Sequence, residues 1–350
     1  MSVTRRIPPG SPLVIGHRGA PGYRPEHTAG SYRLAFANGV DAVEPDVVAT
    51  RDGVLVIRHE NEISGTTDVA DHSEFAGRRT TKRIDGADVT GWFTEDFTWA
   101  ELSTLRCRER LPALRPDSAA FDGAEPILRL GDLLALLAET DGIGLVLEIK
   151  HATYFAGIGH DLAALVERDL RAAGWADGEH ALWIESFERT VLDDLQSRGV
   201  RARYVYLLEA MGSPADLVAR DGERASTYAD ALTPAGLDAV AGLEGGSALD
   251  GISVDKSLLL ADGDTVVADA HARGLTVFTW TCRPENAFLD PRFRGAGEDR
   301  EFGDYRAEWT RIAATGLDGV FVDHADLGAA FFRDGRSGSG RTGRTLPPSL

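Results

Sequence analysis

Lysine is almost missing from this chain. Lys82, Lys150 and Lys256 are the only three among 350 residues, against a background of arginine. An ammonium is a compact point charge and a guanidinium a planar fork, so each of the three positions carries information. Cysteine is equally scarce. Cys107 and Cys282 stand far apart, one of them by an apolar strand-like run, which gives no disulfide framework. Excess positive charge is absent: the net charge of −18 excludes a nucleic-acid surface and peripheral binding to anionic membranes. No apolar run is long enough to span a bilayer. Met1 to Pro12 holds Arg5 and Arg6 but no apolar segment, so no secretory signal is read and a cytoplasmic setting with no stable membrane anchor is expected. A small anionic substrate stays compatible with this charge, provided that a cation or a few Arg and Lys side chains hold it locally.

What is present is alternation. Apolar runs at 13–16, 41–48, 54–59, 144–150, 181–187, 202–208, 250–254, 275–280 and 318–323 are separated by amphipathic stretches of helical period. Strand–helix alternation implies parallel strands with crossover helices, and continuous apolar runs imply strands covered on both faces. Asp52-Gly53 reads as a hairpin turn that folds 54–59 back on 41–48. Counting that pair once leaves eight strands, which predicts an α/β fold of the TIM (β/α)₈ barrel type over 12–333. Residues 60–126 are polar and turn-rich, and are read as an insertion after the second strand that partly covers the barrel mouth. Residues 335–350 read as a disordered tail.

Polar residues collect at the ends of the apolar runs. His17-Arg18-Gly19 closes the first, giving a proton-transfer group beside a phosphate-binding fork. Glu44 and Asp46 flank Pro45, and period two puts both carboxylates on one face. Two converging carboxylates suit a hard divalent ion with oxygen ligands. Pro45 removes a ladder donor, counts against a regular central strand and predicts a bulge. His59 ends the returning strand, so that His17 and His59 could serve as base and acid on opposite sides of a phosphorus. Glu148 and Lys150 share one face at the end of 144–150, as a third ligand and a phosphate contact. Later strand ends add Glu185, Ser186, Asp255, Lys256, Trp280 and Asp323, of which Trp280 could pack against an organic headgroup.

Taken in order, HRGA, PEHT, E-P-D, T-x-D-G, R-H-E and L-E-I-K, then TTDVA (66–70) and GVFVDHAD (319–326), resemble the glycerophosphodiester phosphodiesterase family, in its bacterial glycerophosphoryl-diester type. The resemblance runs from His17 to Phe332. It implies a barrel enzyme that hydrolyses glycerophosphodiesters to glycerol 3-phosphate and an alcohol. It implies His17 and His59 as the acid/base pair, and Glu44, Asp46 and Glu148 as ligands of Ca²⁺ or Mg²⁺. Arg18 and Lys150 would contact the phosphate, and Glu26 would support the first loop. The chain departs from the family at His27 (usually Asn), Pro45 (usually aliphatic) and Glu60 (usually Asp). His27 is expected to open a helix, and Glu60 to set its carboxylate further out. Two rival readings share the barrel: a phospholipase D-like enzyme that forms a cyclic phosphate from lysolipids or sphingolipids, and a non-catalytic phosphodiester-binding protein.

Overall fold

In the computed structural model, which describes residues 11–334, every apolar run forms a strand. The strands are β1 (Leu13–His17), β2 (Ala42–Glu44), β3 (Asp46–Ala49), β4 (Leu55–Ile57), β5 (Thr80–Ile84), β6 (Ala87–Gly91), β7 (Gly144–Ile149), β8 (Leu182–Ser186), β9 (Arg203–Leu208), β10 (Gly251–Asp255), β11 (Thr276–Cys282) and β12 (Gly319–Val322). Arg5, Arg6 and the 335–350 segment lie outside the described residues. The main sheet runs β2-β1-β12-β11-β10-β9-β8-β7-β3-β4, and a β2–β7 pairing closes it. β2 and β3 act as one strand, so the closed ring has eight parallel strands, as the alternation predicts. β4 returns antiparallel on β3 through a turn in which Gly53 takes φ +71°.

Pro45 splits the second strand. β1 follows it only as far as the pair His17 with Glu44; beyond Pro45, Asp46 pairs with Glu148 of β7. The Pro45 carbonyl still accepts from the Glu148 N–H at 2.9 Å, so the missing donor is the only loss to that ladder.

Period two then sorts each strand from bottom to top. Ile15, Ala42, Val146, Trp183, Val205, Phe278 and Phe321 form a separate buried cluster that plugs the barrel. Two residues further along the same strands stand His17, Glu44, Glu148, Glu185, Leu207, Trp280 and Asp323. The interior is therefore apolar below and mostly polar above, and the plug keeps water from passing through. Helices cover the outside with their apolar stripes. In Leu162–Ala172, Leu162, Val166 and Leu170 are buried at a spacing of four, and the Asp161 side chain caps the start by accepting from the Ala164 N–H. Each such side chain contributes about 1.5–3 kcal/mol of burial. Cys107 and Cys282 are buried and unpaired. Among the described residues no helix is long and apolar enough to cross a membrane.

Residues 60–126 stand apart from the barrel sheet. β5 and β6 make an antiparallel hairpin whose turn, Asp85-Gly86, has both residues at positive φ (45° and 86°). Beneath it the aromatic residues expected to form a core of the segment's own instead join the main core between barrel and helices, with Phe75 edge-on to Phe97 and Trp92 Nε1 donating to the Phe75 carbonyl.

Candidate active site

The loop after β1 turns sharply. Arg18 is left-handed at φ 53°, and Gly19 at φ 95° lies so close to the Ser31 backbone that a Cβ would come within 2.7 Å of it. That turn aims the Arg18 backbone N–H at Glu44 Oε2 (2.9 Å) and brings its guanidinium to Glu26 (3.0 Å) and Asp46 (3.4 Å).

Below Arg18 four carboxylates converge. Ligand oxygens of Glu44, Asp46 and Glu148 all lie within 4.8 Å of one another, and Glu185 stands in register with Glu148 on the next strand. All four side chains are buried. Burial, then the neighbouring acids, push Glu44 and Glu185 well above the usual carboxylate range, and Glu148 up to about 8. Burial acts on Asp46 in the same direction, but Lys150 and His59 outweigh it and hold Asp46 well below that range. Among the described residues, Glu44 Oε1 and Glu185 Oε2 have no hydrogen-bond partner. Lys150 Nζ lies 3.2 Å from Asp46 Oδ1 and 2.5 Å from Glu148 Oε1, though without hydrogen-bond geometry to either. One ammonium and the Arg18 guanidinium, which Glu26 shares, do not balance four carboxylates. The unsatisfied oxygens therefore fit a hard divalent cation, and Glu44, Asp46 and Glu148 could hold it.

The two histidines line the same cleft, of about 460 Å³, with Arg18, Lys150, Glu185 and Trp280. His17 Nδ1 lies 2.6 Å from Asp323 Oδ1. Burial raises Asp323, but Arg283, Arg115 and His17 hold it well below the usual range, so it is ionised and can only accept. Nδ1 of His17 thus carries the hydrogen, and Nε2 is left as the acceptor. Burial and Arg18 lower His17 to about 4. His59 Nδ1 lies 2.6 Å from Glu60 Oε1, and burial, Arg18 and Lys150 depress it well below 6.5. Trp280 lies edge-on to Phe187 with ring centres 5.7 Å apart.

Glu26 lies outside the cleft lining and holds the loop after β1: its oxygens are taken by Arg18 at 3.0 Å and by Arg110 at 2.7 and 2.9 Å, so it backs Arg18 from behind. One expectation is corrected. His27 does not open the helix; Thr28 is the cap of Ala29–Ala37, and His27 is fully buried with Nε2 2.9 Å from Asp46 and Nδ1 2.8 Å from the Tyr32 hydroxyl. A carboxylate contact fills the place of a capping role because His27 sits at φ 62°, which turns its ring inward. Glu60, longer by one methylene than the family's Asp, still reaches His59. The sequence gives no sign of Arg110 or Arg115 beside the site, since each arrives on a loop without periodicity, whereas His151 directly follows Lys150 at the end of β7 and could have been found from that position. Asp85 could have been found from the Asp-Gly hairpin signal.

Comparisons with known proteins bear on the family and the fold. The profile of the glycerophosphoryl diester phosphodiesterase family matches residues 17–327. The chain is 30% identical over 343 residues to a glycerophosphodiester phosphodiesterase of Arabidopsis thaliana, covering 89% of this chain and 83% of that protein. The solved structure of a candidate glycerophosphoryl diester phosphodiesterase from Silicibacter pomeroyi is 25% identical with a TM-score of 0.65, covering 93% of this chain and 94% of that one. A phosphodiesterase from Oleispira antarctica, solved in complex with its product sn-glycerol 3-phosphate, shares the fold at 21% identity and a TM-score of 0.61, covering 91% of this chain and 96% of that one. The family profile spans the barrel from its first strand to the helix after its last, and on that extent the chain belongs to the glycerophosphoryl diester phosphodiesterases, enzymes of the phosphoric diester hydrolase class.

Proposed function

We propose that this enzyme cleaves glycerophosphodiesters to sn-glycerol 3-phosphate and an alcohol by two-histidine acid/base catalysis that depends on a divalent ion. The observation that carries the reading is the meeting of His17 and His59 with the Glu44, Asp46 and Glu148 cluster in one cleft. Bound there, Ca²⁺ or Mg²⁺ would supply positive charge to the non-bridging phosphate oxygens. Arg18 and Lys150 hold the same oxygens and offset the charge that builds on them. One histidine accepts a proton from the nucleophile, either water or the glycerol 2-hydroxyl whose cyclic phosphate a water then opens, and the other delivers one to the departing alcohol oxygen. Neutral His17, with Nδ1–H fixed on Asp323, is suited to accept at Nε2. The product held by the Oleispira protein supports glycerol 3-phosphate as the released half. A second cleft of about 410 Å³ shares His59, Lys150 and Phe187 with the first and gives the alcohol room.

The test is release of glycerol 3-phosphate from glycerophosphocholine and glycerophosphoethanolamine with Ca²⁺, with Mg²⁺ and with EDTA. Chelation and Glu44→Ala should each abolish release, and His17→Ala or His59→Ala should each cost about 10²–10⁴-fold. Full activity in EDTA would remove the ion from the mechanism, and full activity in either histidine variant would remove that histidine.

A further inference from the structure

The carboxylates that touch the two histidines are themselves held from outside the barrel, in both cases by residues 60–126 or by a residue that they hold. On the His17 side, Asp323 gives Oδ1 to the imidazole and Oδ2 to two guanidinium groups. Arg115 Nη2 and Arg283 Nε each reach it at 2.7 Å, and Arg115 Nε also bonds Glu285 at 2.8 Å. Arg115 and both of its partners are buried, with side chains at most 4% exposed. On the His59 side, Glu60 Oε1 approaches His59 Nδ1 to 2.6 Å, an ion-pair contact without hydrogen-bond geometry, and Glu60 Oε2 meets His151 Nε2 at 3.3 Å. His151 Nδ1 in turn meets Asp85 Oδ2, at the tip of the β5–β6 hairpin, at 2.5 Å. His151 and Asp85 are both left-handed, at φ 53° and 45°, a conformation that residues with a Cβ adopt only when their surroundings impose it.

We propose that residues 60–126 are a positioning element for both histidines: Arg115 sets His17 through Asp323, and Asp85 with His151 sets His59 through Glu60. This rests on the two-histidine reading above. A mere staple between insertion and barrel would be served better by apolar contact, because a buried Arg–carboxylate group costs desolvation that its attraction barely offsets. Here the arms end on the carboxylates that face imidazole Nδ1 atoms, and that nitrogen decides which tautomer the ring adopts and where it points. The two arms leave the insertion at separate places, Asp85 and Arg115, and reach opposite histidines. His151 supports the arrangement as a cation: burial acts against its charge, but Asp85 and Glu60 outweigh burial and lift it to about 9.

The experiment compares Asp85→Asn, His151→Gln and Arg115→Lys with the unmodified enzyme on glycerophosphocholine. Each should lower kcat about 10–100-fold, the range found for groups that orient catalytic ligands, while KM stays within about twofold. Arg115→Lys keeps the charge and loses the fork; should it fail to fold, Asp85→Asn at the partly exposed hairpin tip decides alone. The His151→Gln loss should vanish in a His59→Ala background and persist in a His17→Ala background. Unchanged kcat in all three variants, or the same loss in both backgrounds, would overturn the proposal. If the unmodified enzyme releases no product, the two-histidine reading fails separately. Ring ¹⁵N shifts then decide this proposal: His151→Gln should move His59 alone and Arg115→Lys His17 alone, and movement of neither refutes it.

Discussion

Raising the pH from 6 to 10 should loosen the hairpin tip from the barrel. The group responsible is His151, whose folded pKa of about 9 stands above its ordinary 6.5. It faces Asp85 from the hairpin and Glu60 from the strand return, with Lys150 next in the chain and Glu188 in the same cleft. A raised pKa means that the folded state holds the proton more tightly, so the stabilisation is complete below about 6.5 and is lost as pH climbs through about 9. At about 1.4 kcal/mol for each tenfold change in proton affinity, the rise from 6.5 to about 9 corresponds to about 3 kcal/mol. Asp85 and Glu60 keep 31% and 41% of their side chains in water, and screening reduces the figure to about 1–2 kcal/mol. The assay is urea unfolding of the enzyme and of His151→Gln at unit steps of pH. The gap in stability between them should be constant near pH 6, shrink between about 7 and 9, and be nearly gone at 10. Hydrogen exchange of the hairpin amides, corrected for intrinsic rate, should report the same loss locally. A gap that stays flat or widens with pH would refute the reasoning, because it would mean that His151 is neutral in the folded protein.

Two further outcomes follow from the cleft. Glu185→Gln removes a buried carboxylate whose ionised form the surrounding acids oppose, so in EDTA the variant should melt higher than the parent, with about 2–4 °C for each kcal/mol relieved, while the rise in Tm on adding Ca²⁺ should be smaller; a lower Tm in EDTA would show that Glu185 is well satisfied as it stands. Trp280→Ala should raise KM for glycerophosphocholine about 2–12-fold, the equivalent of a lost aromatic contact of about 0.5–1.5 kcal/mol, with kcat within about twofold, and equal KM values in a steady-state comparison would take Trp280 out of headgroup binding.

The barrel was legible because its signal is local. Apolar runs such as GLVLEIK need no knowledge of distant partners, and period two on those runs already places Glu148 and Lys150 above Val146. The polar residues at strand ends were legible for the same reason. The contacts that hold them were not. His17 meets Asp323 across 306 positions, Arg115 meets it across 208, and His151 meets Asp85 across 66. Ion pairs between loops leave no period and no spacing in a single sequence. His27 misled for a subtler reason: its place just before a helix suggests a capping role, and only its left-handed backbone turns the ring towards Asp46. An irregularity at Pro45 was visible, read as a bulge where the strand in fact splits, since a missing N–H says where a ladder is disturbed and not which neighbour takes over.

The span of the Asp323 contact also bears on the order in which the enzyme is made. Synthesis delivers His17, Glu44, Asp46, His59, Arg115, Glu148 and Glu185 in the first 185 residues, well before the strand that closes the ring. Asp323 follows that last strand, and Arg283 and Glu285 come only shortly before it. A nascent chain paused between residues 285 and 322 would hold nearly every polar group of the cleft yet lack the partner that fixes the tautomer of His17. Competence in this architecture arrives late and all at once, with the final βα unit, and a truncated chain that kept the acidic cluster would still lack a correctly held His17.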